Sequence, residues 1–222
     1  MKNPLIRLTV AVLTAAVLWF LMFSPWTAGR FNFWLEMSCA AVVLTALTLL
    51  FTPDRCALFH IEKPLLQVAA GIGIALLLWG VFWVGDRLSS LMFDFARPEV
   101  DAVYAVKTGL PSSTIALLLL FLIGPAEEFF WRGYVQRTLA GISILKIQNS
   151  KFKIQNSDVA FVATTLVYAL VHIWSFNFML VMAALVAGAV WGFLYRLNPK
   201  LLPALIVSHA VWDALVFVIL PI

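Results

Sequence analysis

Apolar residues occupy stretches of about 20 positions along most of the chain, and short polar segments separate them. Such a stretch is long enough to cross the hydrocarbon core of a bilayer as a helix. The pattern predicts an all-α fold, a polytopic transmembrane helical bundle with about seven to eight membrane helices. The predicted spans are residues 5–23, 31–52, 65–85, 112–138, 158–173, 176–195 and 200–220.

Composition agrees with a bilayer as the solvent. The 222 residues are 63% hydrophobic and 12% charged, whereas a soluble domain is about half apolar and about a quarter charged. Nine Trp and 18 Phe suit the membrane interfaces. No basic run is interleaved with aromatic residues, so no nucleic-acid partner is predicted. Cys39 and Cys56 form neither a disulfide framework nor a CxxC pair.

The chain is expected to form a single transmembrane domain over residues 1–222. Residues 1–110 carry no diagnostic motif, and residues 111–222 carry the polar motifs described below. The mixed segment 86–110 is predicted either to lie at the interface as an amphipathic helix or to dip into the membrane as an eighth element. Residues 141–157 form a predicted cytoplasmic loop, in which KIQNS occurs twice as a tolerated insertion without a chemical role.

Basic residues predict the orientation of these spans. If the N-terminus is cytoplasmic, ten basic residues fall inside and four fall outside, which obeys the positive-inside rule. The inside set is Lys2, Arg7, Arg55, Lys63, Arg137, Lys146, Lys151, Lys153, Arg196 and Lys200, and the outside set is Arg30, Arg87, Arg97 and Lys107. The expected protein is integral and multi-pass, and the expected location is a bacterial cytoplasmic membrane.

Two adjacent glutamates and an arginine interrupt the fourth predicted span, in the stretch GPAEEFFWRGYVQ. A charge in mid-bilayer costs about 2.5–3.5 kcal/mol on insertion scales, so such groups are functional candidates. Glu128 and Arg132 lie four positions apart and can pair on one helix face. Glu127 is then left without a local cation, which suits a general base. An ion pair that only anchors the helix at the interface is an equally good interpretation of this motif alone.

Two later spans carry further polar pairs at the same spacing. Tyr168 and His172 share one helix face, and so do His209 and Asp213. Each pair alone is a modest signal, since histidines often pack within bundles. Polar groups on separate membrane helices seek one another because lipid offers them no partner. We therefore expect Glu127, His172, His209 and Asp213 to converge on one buried site.

In this order the three motifs resemble the CPBP family, the CAAX-processing and bacteriocin-processing intramembrane proteases, also described as ABI or Rce1-like. The quoted residues are Glu127-Glu128-Phe129-Phe130-Trp131-Arg132, Tyr168-Ala169-Leu170-Val171-His172 and His209-Ala210-Val211-Trp212-Asp213. The resemblance covers about residues 124–213. Tyr168 departs from the Phe that is usual in the family.

The resemblance implies a polytopic endopeptidase that cleaves a membrane-delivered substrate, either prenylated or of leader type. By resemblance, the catalytic residues are Glu127 and His172, which activate a water, and His209 and Asp213, which stabilise the oxyanion. Glu128, Arg132 and Tyr168 support this geometry. The implied partners are membrane lipids and a peptide or protein within the membrane.

A metal-free glutamate mechanism is favoured, and no cofactor is expected. A divalent metal such as zinc is the alternative, with Glu127, His172 and His209 as its ligands. The chain lacks the HExxH pattern of zinc proteases, and no two of its histidines share a helix. Two other functions stay open at this point. One is a non-proteolytic membrane scaffold or immunity protein, and the other is a small proton-coupled transporter.

Overall fold

The computed structural model describes residues 3–142 and 155–222. These residues form helices and loops, with no strand among them, and seven of the helices are long and apolar enough to cross a membrane. The membrane helices are α1 (Pro4–Phe23), α2 (Phe33–Phe51), α3 (Pro64–Met92), α5 (Ser112–Gly141), α6 (Asn156–Ser175), α7 (Phe178–Leu197) and α8 (Pro199–Ile219). The short helix α4 (Ala96–Tyr104) lies between α3 and α5.

The seven predicted spans are confirmed, and the mixed segment 86–110 divides in two. Its first part continues α3 to Met92, beyond the predicted end at residue 85. The helix accommodates Asp86 because Arg97 Nη1 lies 3.3 Å from its carboxylate. Its second part contains α4, whose nine residues extend about 14 Å and cannot cross a core of about 30 Å.

Side-chain hydrogen bonds fasten α4 to two membrane helices. Glu99 accepts a hydrogen bond from the backbone N–H of Met179 at 2.9 Å, in the first turn of α7, and its carbonyl accepts from Asn177 at 2.7 Å. The Tyr104 hydroxyl donates to the carbonyl of Val216 in α8 at 3.0 Å. Burial raises the pKa of Tyr104, so the phenol stays protonated as a donor. The helix α4 is therefore part of the folded bundle.

Helix α8 packs along both α3 and α5. Glycines allow the close approach on each side. A Cβ at Gly71 in α3 would lie 2.5 Å from the carbonyl oxygen of Ala204, and one at Gly124 in α5 would lie 2.7 Å from Cα of Ala210. Neither distance can accommodate a side chain. Because α8 is enclosed in this way, His209 lies in the interior of the bundle.

Helix α5 is not a regular α-helix. Its central turns, Gly124–Phe130, lie between two π-helical segments, Leu119–Ile123 and Trp131–Gln136. Pro125 has no N–H to donate within the helix, which accounts for a wider turn on its N-terminal side. Wide turns of this kind are frequent at functional sites. Both motif glutamates lie in the central turns.

Some sequence predictions fall on residues that are not described. Residues 143–154 hold most of the duplicated KIQNS segment, and they lie outside the described residues together with the lysines that they contain and with Lys2. The division at residue 110 and the cytoplasmic assignment of the loop 141–157 stay predictions.

Candidate active site

The glutamate–arginine motif of α5 forms a buried ion pair. Arg132 Nη1 lies 2.7 Å from Glu128 Oε1, and neither side chain is exposed to any extent. The other terminal nitrogen of Arg132 donates to the carbonyl of Gly188 in α7 at 3.0 Å. The pairing that the four-residue spacing predicts is therefore present, and it also ties α5 to α7. Removing Glu128 would leave the Arg132 charge without its carboxylate inside the bundle.

His209 lies between two carboxylates. Its Nδ1 is 3.0 Å from Glu128 Oε1, and its Nε2 is 3.5 Å from Asp213 Oδ2. The sequence predicted the contact with Asp213, four positions along α8. It did not predict the shorter contact with Glu128, which comes from another helix. Because both ring nitrogens face carboxylate oxygens, the surroundings suit a doubly protonated, cationic imidazole ring.

A tryptophan that no sequence motif singles out completes the surroundings of His209. Trp191 of α7 is fully buried and stacks on the His209 ring, with 4.0 Å between centroids and 18° between planes. Its Nε1 donates to Ser208 Oγ at 3.0 Å, which fixes the indole. The Arg132 guanidinium carbon lies 5.6 Å from the same ring. An indole face attracts cations, so Trp191 adds to the stabilisation of a charged His209.

His172 has quite different partners. Its Nδ1 lies 2.8 Å from the carbonyl oxygen of Tyr168, one turn earlier in α6. Its Nε2 lies 3.0 Å from Nε1 of Trp19, which comes from α1 and is almost fully buried. An indole N–H can only donate, so Nε2 accepts and Nδ1 carries the proton that the carbonyl binds. His172 is therefore held as one tautomer of a neutral ring, and both of its nitrogens are engaged.

Glu127 carries a buried carboxylate that has no ion pair with Arg132. Its side chain is 5% exposed, and its Oε2 is buried without a hydrogen-bond partner among the described residues. Its electrostatic surroundings are His209, Asp213, Glu128 and the Tyr168 side chain. The Arg132 cation is committed to Glu128, as the sequence predicted, so Glu127 has no ion pair of its own along α5.

A cavity of about 610 Å³ connects these groups. Glu127, His172, His209 and Asp213 all line it, together with Tyr168. Glu128 and Arg132 lie behind its wall. The remaining lining is mainly apolar and includes Phe23, Leu119, Ile123, Met182, Trp212 and Phe217. The structure therefore brings the four predicted catalytic side chains to one apolar chamber with a few polar groups, which is the usual character of a ligand site.

The arrangement does not fit a metal centre. Within residues 3–142 and 155–222, no group of three or more His, Cys, Asp or Glu side chains is placed to hold an ion. The lone pair of His172 Nε2 faces an indole N–H, and His209 faces two carboxylates rather than an open position. Zinc in proteins needs convergent ligand lone pairs. The alternative ligand set of Glu127, His172 and His209 is therefore not assembled as a metal site.

Comparison with known proteins gives one match. Residues 110–215, a little under half of the chain, match the family model described as type II CAAX prenyl endopeptidase Rce1-like. No curated protein and no solved structure matched. The matched segment contains all seven of the predicted catalytic and supporting residues, and it excludes Trp19. The family is a class of proteases, and the resemblance predicted from the three motifs is confirmed. Residues 110–215 of this chain are therefore similar to the Rce1-like family of CAAX prenyl endopeptidases, as the three motifs indicated.

Proposed function

We propose that the chain is an intramembrane endopeptidase that hydrolyses a peptide bond of a membrane-delivered substrate. The observation that carries the proposal is the unpartnered carboxylate oxygen of Glu127, in a cavity shared with His172, His209 and Asp213. A buried polar atom without a partner is costly unless a water or a substrate supplies the missing hydrogen bond. The family match supports this proposal, because it implies endopeptidase activity.

Glu127 is the general base in this mechanism. A water bound at its free oxygen is deprotonated as the water oxygen forms a bond to the scissile carbonyl carbon. The electron pair of the carbonyl double bond moves onto the carbonyl oxygen. Because Glu127 is buried, bulk water has little access to its carboxylate, and few other water molecules compete with the bound one for its hydrogen bond.

His209 stabilises the negative charge that develops on the carbonyl oxygen. Its Nδ1–H is committed to Glu128 at 3.0 Å, whereas its Nε2 is 3.5 Å from Asp213, longer than an ordinary hydrogen bond. The Nε2–H can therefore donate a hydrogen bond to the oxyanion without breaking a strong hydrogen bond to Asp213. Asp213 and the stacked Trp191 maintain the positive charge of the ring.

Collapse of the tetrahedral intermediate completes the reaction. The electron pair on oxygen restores the carbonyl, the C–N bond breaks, and the proton held by Glu127 passes to the leaving nitrogen. One water is consumed, and the products are a carboxylic acid and an amine. No step passes through a metal, so cleavage is expected to survive treatment with a chelator.

His172 shares the nucleophilic water with Glu127 in this proposal, as the resemblance implies. A neutral imidazole has only one nitrogen lone pair, and Trp19 occupies it at 3.0 Å. The water must therefore displace the indole N–H when it binds. The Nδ1 bond to the Tyr168 carbonyl keeps the tautomer unchanged while the partner of Nε2 is exchanged.

The apolar lining suits an apolar peptide segment or an attached prenyl chain. The test is cleavage by the protein reconstituted in liposomes, with a farnesylated peptide ending in Cys-aliphatic-aliphatic-X and the same peptide without the prenyl group. Glu127→Gln keeps the shape and removes the base, so the rate should fall by about 10²–10⁴-fold. Glu36→Gln, in the first turn of α2 and outside the cavity lining, is the matched control and should retain the parent rate.

The pattern of results separates the alternatives. Cleavage of only the prenylated peptide would assign a prenylated substrate, and cleavage of both would assign an apolar segment. Cleavage that persists in Glu127→Gln would remove Glu127 from the reaction and overturn the proposal. If neither peptide is cleaved by the parent, the scaffold interpretation is favoured instead.

A further inference from the structure

A second cavity, of about 340 Å³, lies apart from the catalytic one. Among the described residues, none lines both cavities. Its walls come from the last turns of α5 and α7, the first turn of α8 and the connection between α2 and α3. All of these segments are the ends of membrane helices or the links between them. The cavity therefore lies near the boundary between hydrocarbon and water, where lipid headgroups are found.

Tertiary contacts hold the walls of this cavity together. Leu58 of the α2–α3 connection is buried, and the ring of Phe59 lies 5.4 Å from that of Phe129 in α5. Lys200 Nζ, at the start of α8, lies 2.8 Å from Glu62. The cavity is therefore part of the packed bundle, with the α2–α3 connection fixed to both α5 and α8.

Two hydrogen-bond donors in the lining lack a partner. Tyr195 is only 6% exposed, and its hydroxyl makes no hydrogen bond with any described residue. Arg137 is partly buried and forms no ion pair or hydrogen bond within the described part of the chain. Its charge is close enough to act on the Tyr195 phenol. A buried hydroxyl without a partner is costly unless a bound molecule supplies an acceptor.

The charges around the cavity favour an anion. Glu62 is the only carboxylate among the described lining residues, and Lys200 pairs with it. The guanidinium of Arg137 is then the cation without a counter-charge. The first turn of α8 also contributes to the wall through Pro199 and Leu202. A helix N-terminus carries a partial positive charge, which adds to the attraction for an anion.

We infer that this cavity binds a phosphate group, with Arg137 and the Tyr195 hydroxyl as its donors and Lys200 as a second cation. Arginine donates to phosphate oxygens in pairs, and basic pockets between membrane helices suit anionic headgroups. Leu58 and Ala140 form an apolar side that suits the glycerol and acyl parts of a phospholipid. A phospholipid headgroup and a soluble phosphate share this chemistry. The inference does not depend on the proposed endopeptidase function.

The test is a binding titration of the intact protein in a non-ionic detergent, followed by calorimetry. The probes are dioctanoyl phosphatidic acid, dioctanoyl phosphatidylcholine and inorganic phosphate. Phosphatidic acid should bind to the parent, and phosphatidylcholine should bind more weakly because its choline cation offsets the phosphate charge. Arg137→Gln should weaken the binding of phosphatidic acid by about tenfold or more, and Tyr195→Phe by about fivefold.

Two further variants separate a specific site from general charge attraction. Glu62→Gln removes the like charge and releases Lys200, so it should tighten binding. Arg55→Gln is the matched control, since Arg55 is exposed and outside the lining. It removes the same charge as Arg137→Gln and should leave affinity unchanged. Each variant without ligand should unfold at the temperature of the parent. If Arg137→Gln does not, the opposite signs expected for Tyr195→Phe and Glu62→Gln decide the outcome.

The three probes also identify the source of the phosphate. Binding of phosphatidic acid but not of inorganic phosphate would assign a lipid headgroup. Binding of inorganic phosphate with the same dependence on Arg137 and Tyr195 would assign a soluble phosphate. Equal weakening by Arg55→Gln and Arg137→Gln would mean that surface charge alone attracts the anion and would overturn the inference. Equal affinity for phosphatidylcholine, or no binding of any probe by the parent, would also overturn it.

Discussion

Two histidines line the same cavity and have opposite chemical surroundings. His172 bonds uncharged groups, the indole N–H of Trp19 at one nitrogen and a backbone carbonyl at the other. His209 faces the carboxylates of Glu128 and Asp213 at its two nitrogens. His172 accepts a hydrogen bond from the indole at Nε2, so its ring is neutral. The His209 ring is surrounded by acceptors and suits a cation.

In the proposed hydrolysis, this difference would let one residue type serve two purposes, binding of the nucleophilic water and stabilisation of the oxyanion. A neutral ring can accept a hydrogen bond from a nucleophilic water, whereas a cationic ring can donate to an oxyanion. A tryptophan contacts each histidine, and the two tryptophans use different parts of the indole ring. Trp19 offers its polar edge to His172, and Trp191 offers its face to His209. If the surroundings of His172 and His209 differ in charge and act independently, substitutions at the two histidines should have different effects.

The largest expected effect is on stability, at the charged cluster of Glu128, Arg132 and His209. Arg132→Leu leaves the fully buried Glu128 with His209 as its remaining charged partner, and loss of the buried ion pair should cost about 3–5 kcal/mol of unfolding free energy. The measurement is a denaturant titration of the detergent-solubilised protein. Arg137→Leu, near the end of α5, is the control and should cost much less. Adding Glu128→Gln to Arg132→Leu should restore part of the loss. A double variant as unstable as the single one would show that packing, rather than charge, dominates.

The next effect is on catalysis and compares the two rings directly. His209→Ala removes the oxyanion donor and should lower kcat by about 10²–10³-fold. His172→Ala removes one hydrogen bond to the water while Glu127 remains, so kcat should fall only about tenfold. The exposed His60→Ala is the control. Steady-state kinetics on the reporter peptide measures all three. Equal losses for His172 and His209 would contradict the division of roles.

A smaller effect is expected from the stacked indole. Trp191→Phe keeps an aromatic ring but weakens the cation–π contact and removes the hydrogen bond to Ser208. The combined loss is about 1–2 kcal/mol, so kcat should fall about tenfold with little change in KM. Trp83→Phe, which is partly exposed on α3, should change neither constant. A change confined to KM would assign Trp191 to substrate binding instead.

Most of the fold could be predicted, because a membrane span needs only length and apolar character. The extension of α3 beyond residue 85 could not be predicted, because Asp86 is stabilised within the helix by Arg97, which comes later in the chain. In the site, spacing of four along one helix predicted the contact of Glu128 with Arg132 and that of His209 with Asp213. The contact of Glu128 with His209 joins residues 81 positions apart, and no spacing reveals such a contact.

The two tryptophans that contact the histidines could not be predicted from the sequence either. Trp19 and Trp191 are two of nine in a membrane protein, where aromatic residues are expected at interfaces for reasons unrelated to chemistry. Trp19 also lies in the half of the chain without motifs, and 153 positions separate it from His172. A polar ring nitrogen inside an apolar span is a weak signal that a partner exists. It does not identify that partner.

The smallest expected effect has the opposite sign. Trp19→Phe keeps the ring and removes the N–H that occupies His172 Nε2, so water no longer competes with it. The Nδ1 bond to the Tyr168 carbonyl still fixes the tautomer. A hydrogen bond of about 1 kcal/mol corresponds to a rise in kcat of about fivefold, with the exposed Trp26→Phe unchanged. Nitrogen-15 NMR of His172 should show Nε2 losing its indole donor while Nδ1 is unaffected. A fall in kcat with that same spectral change would mean that the indole holds His172 in its active position, so that Trp19 and Trp191 support their histidines in the same way.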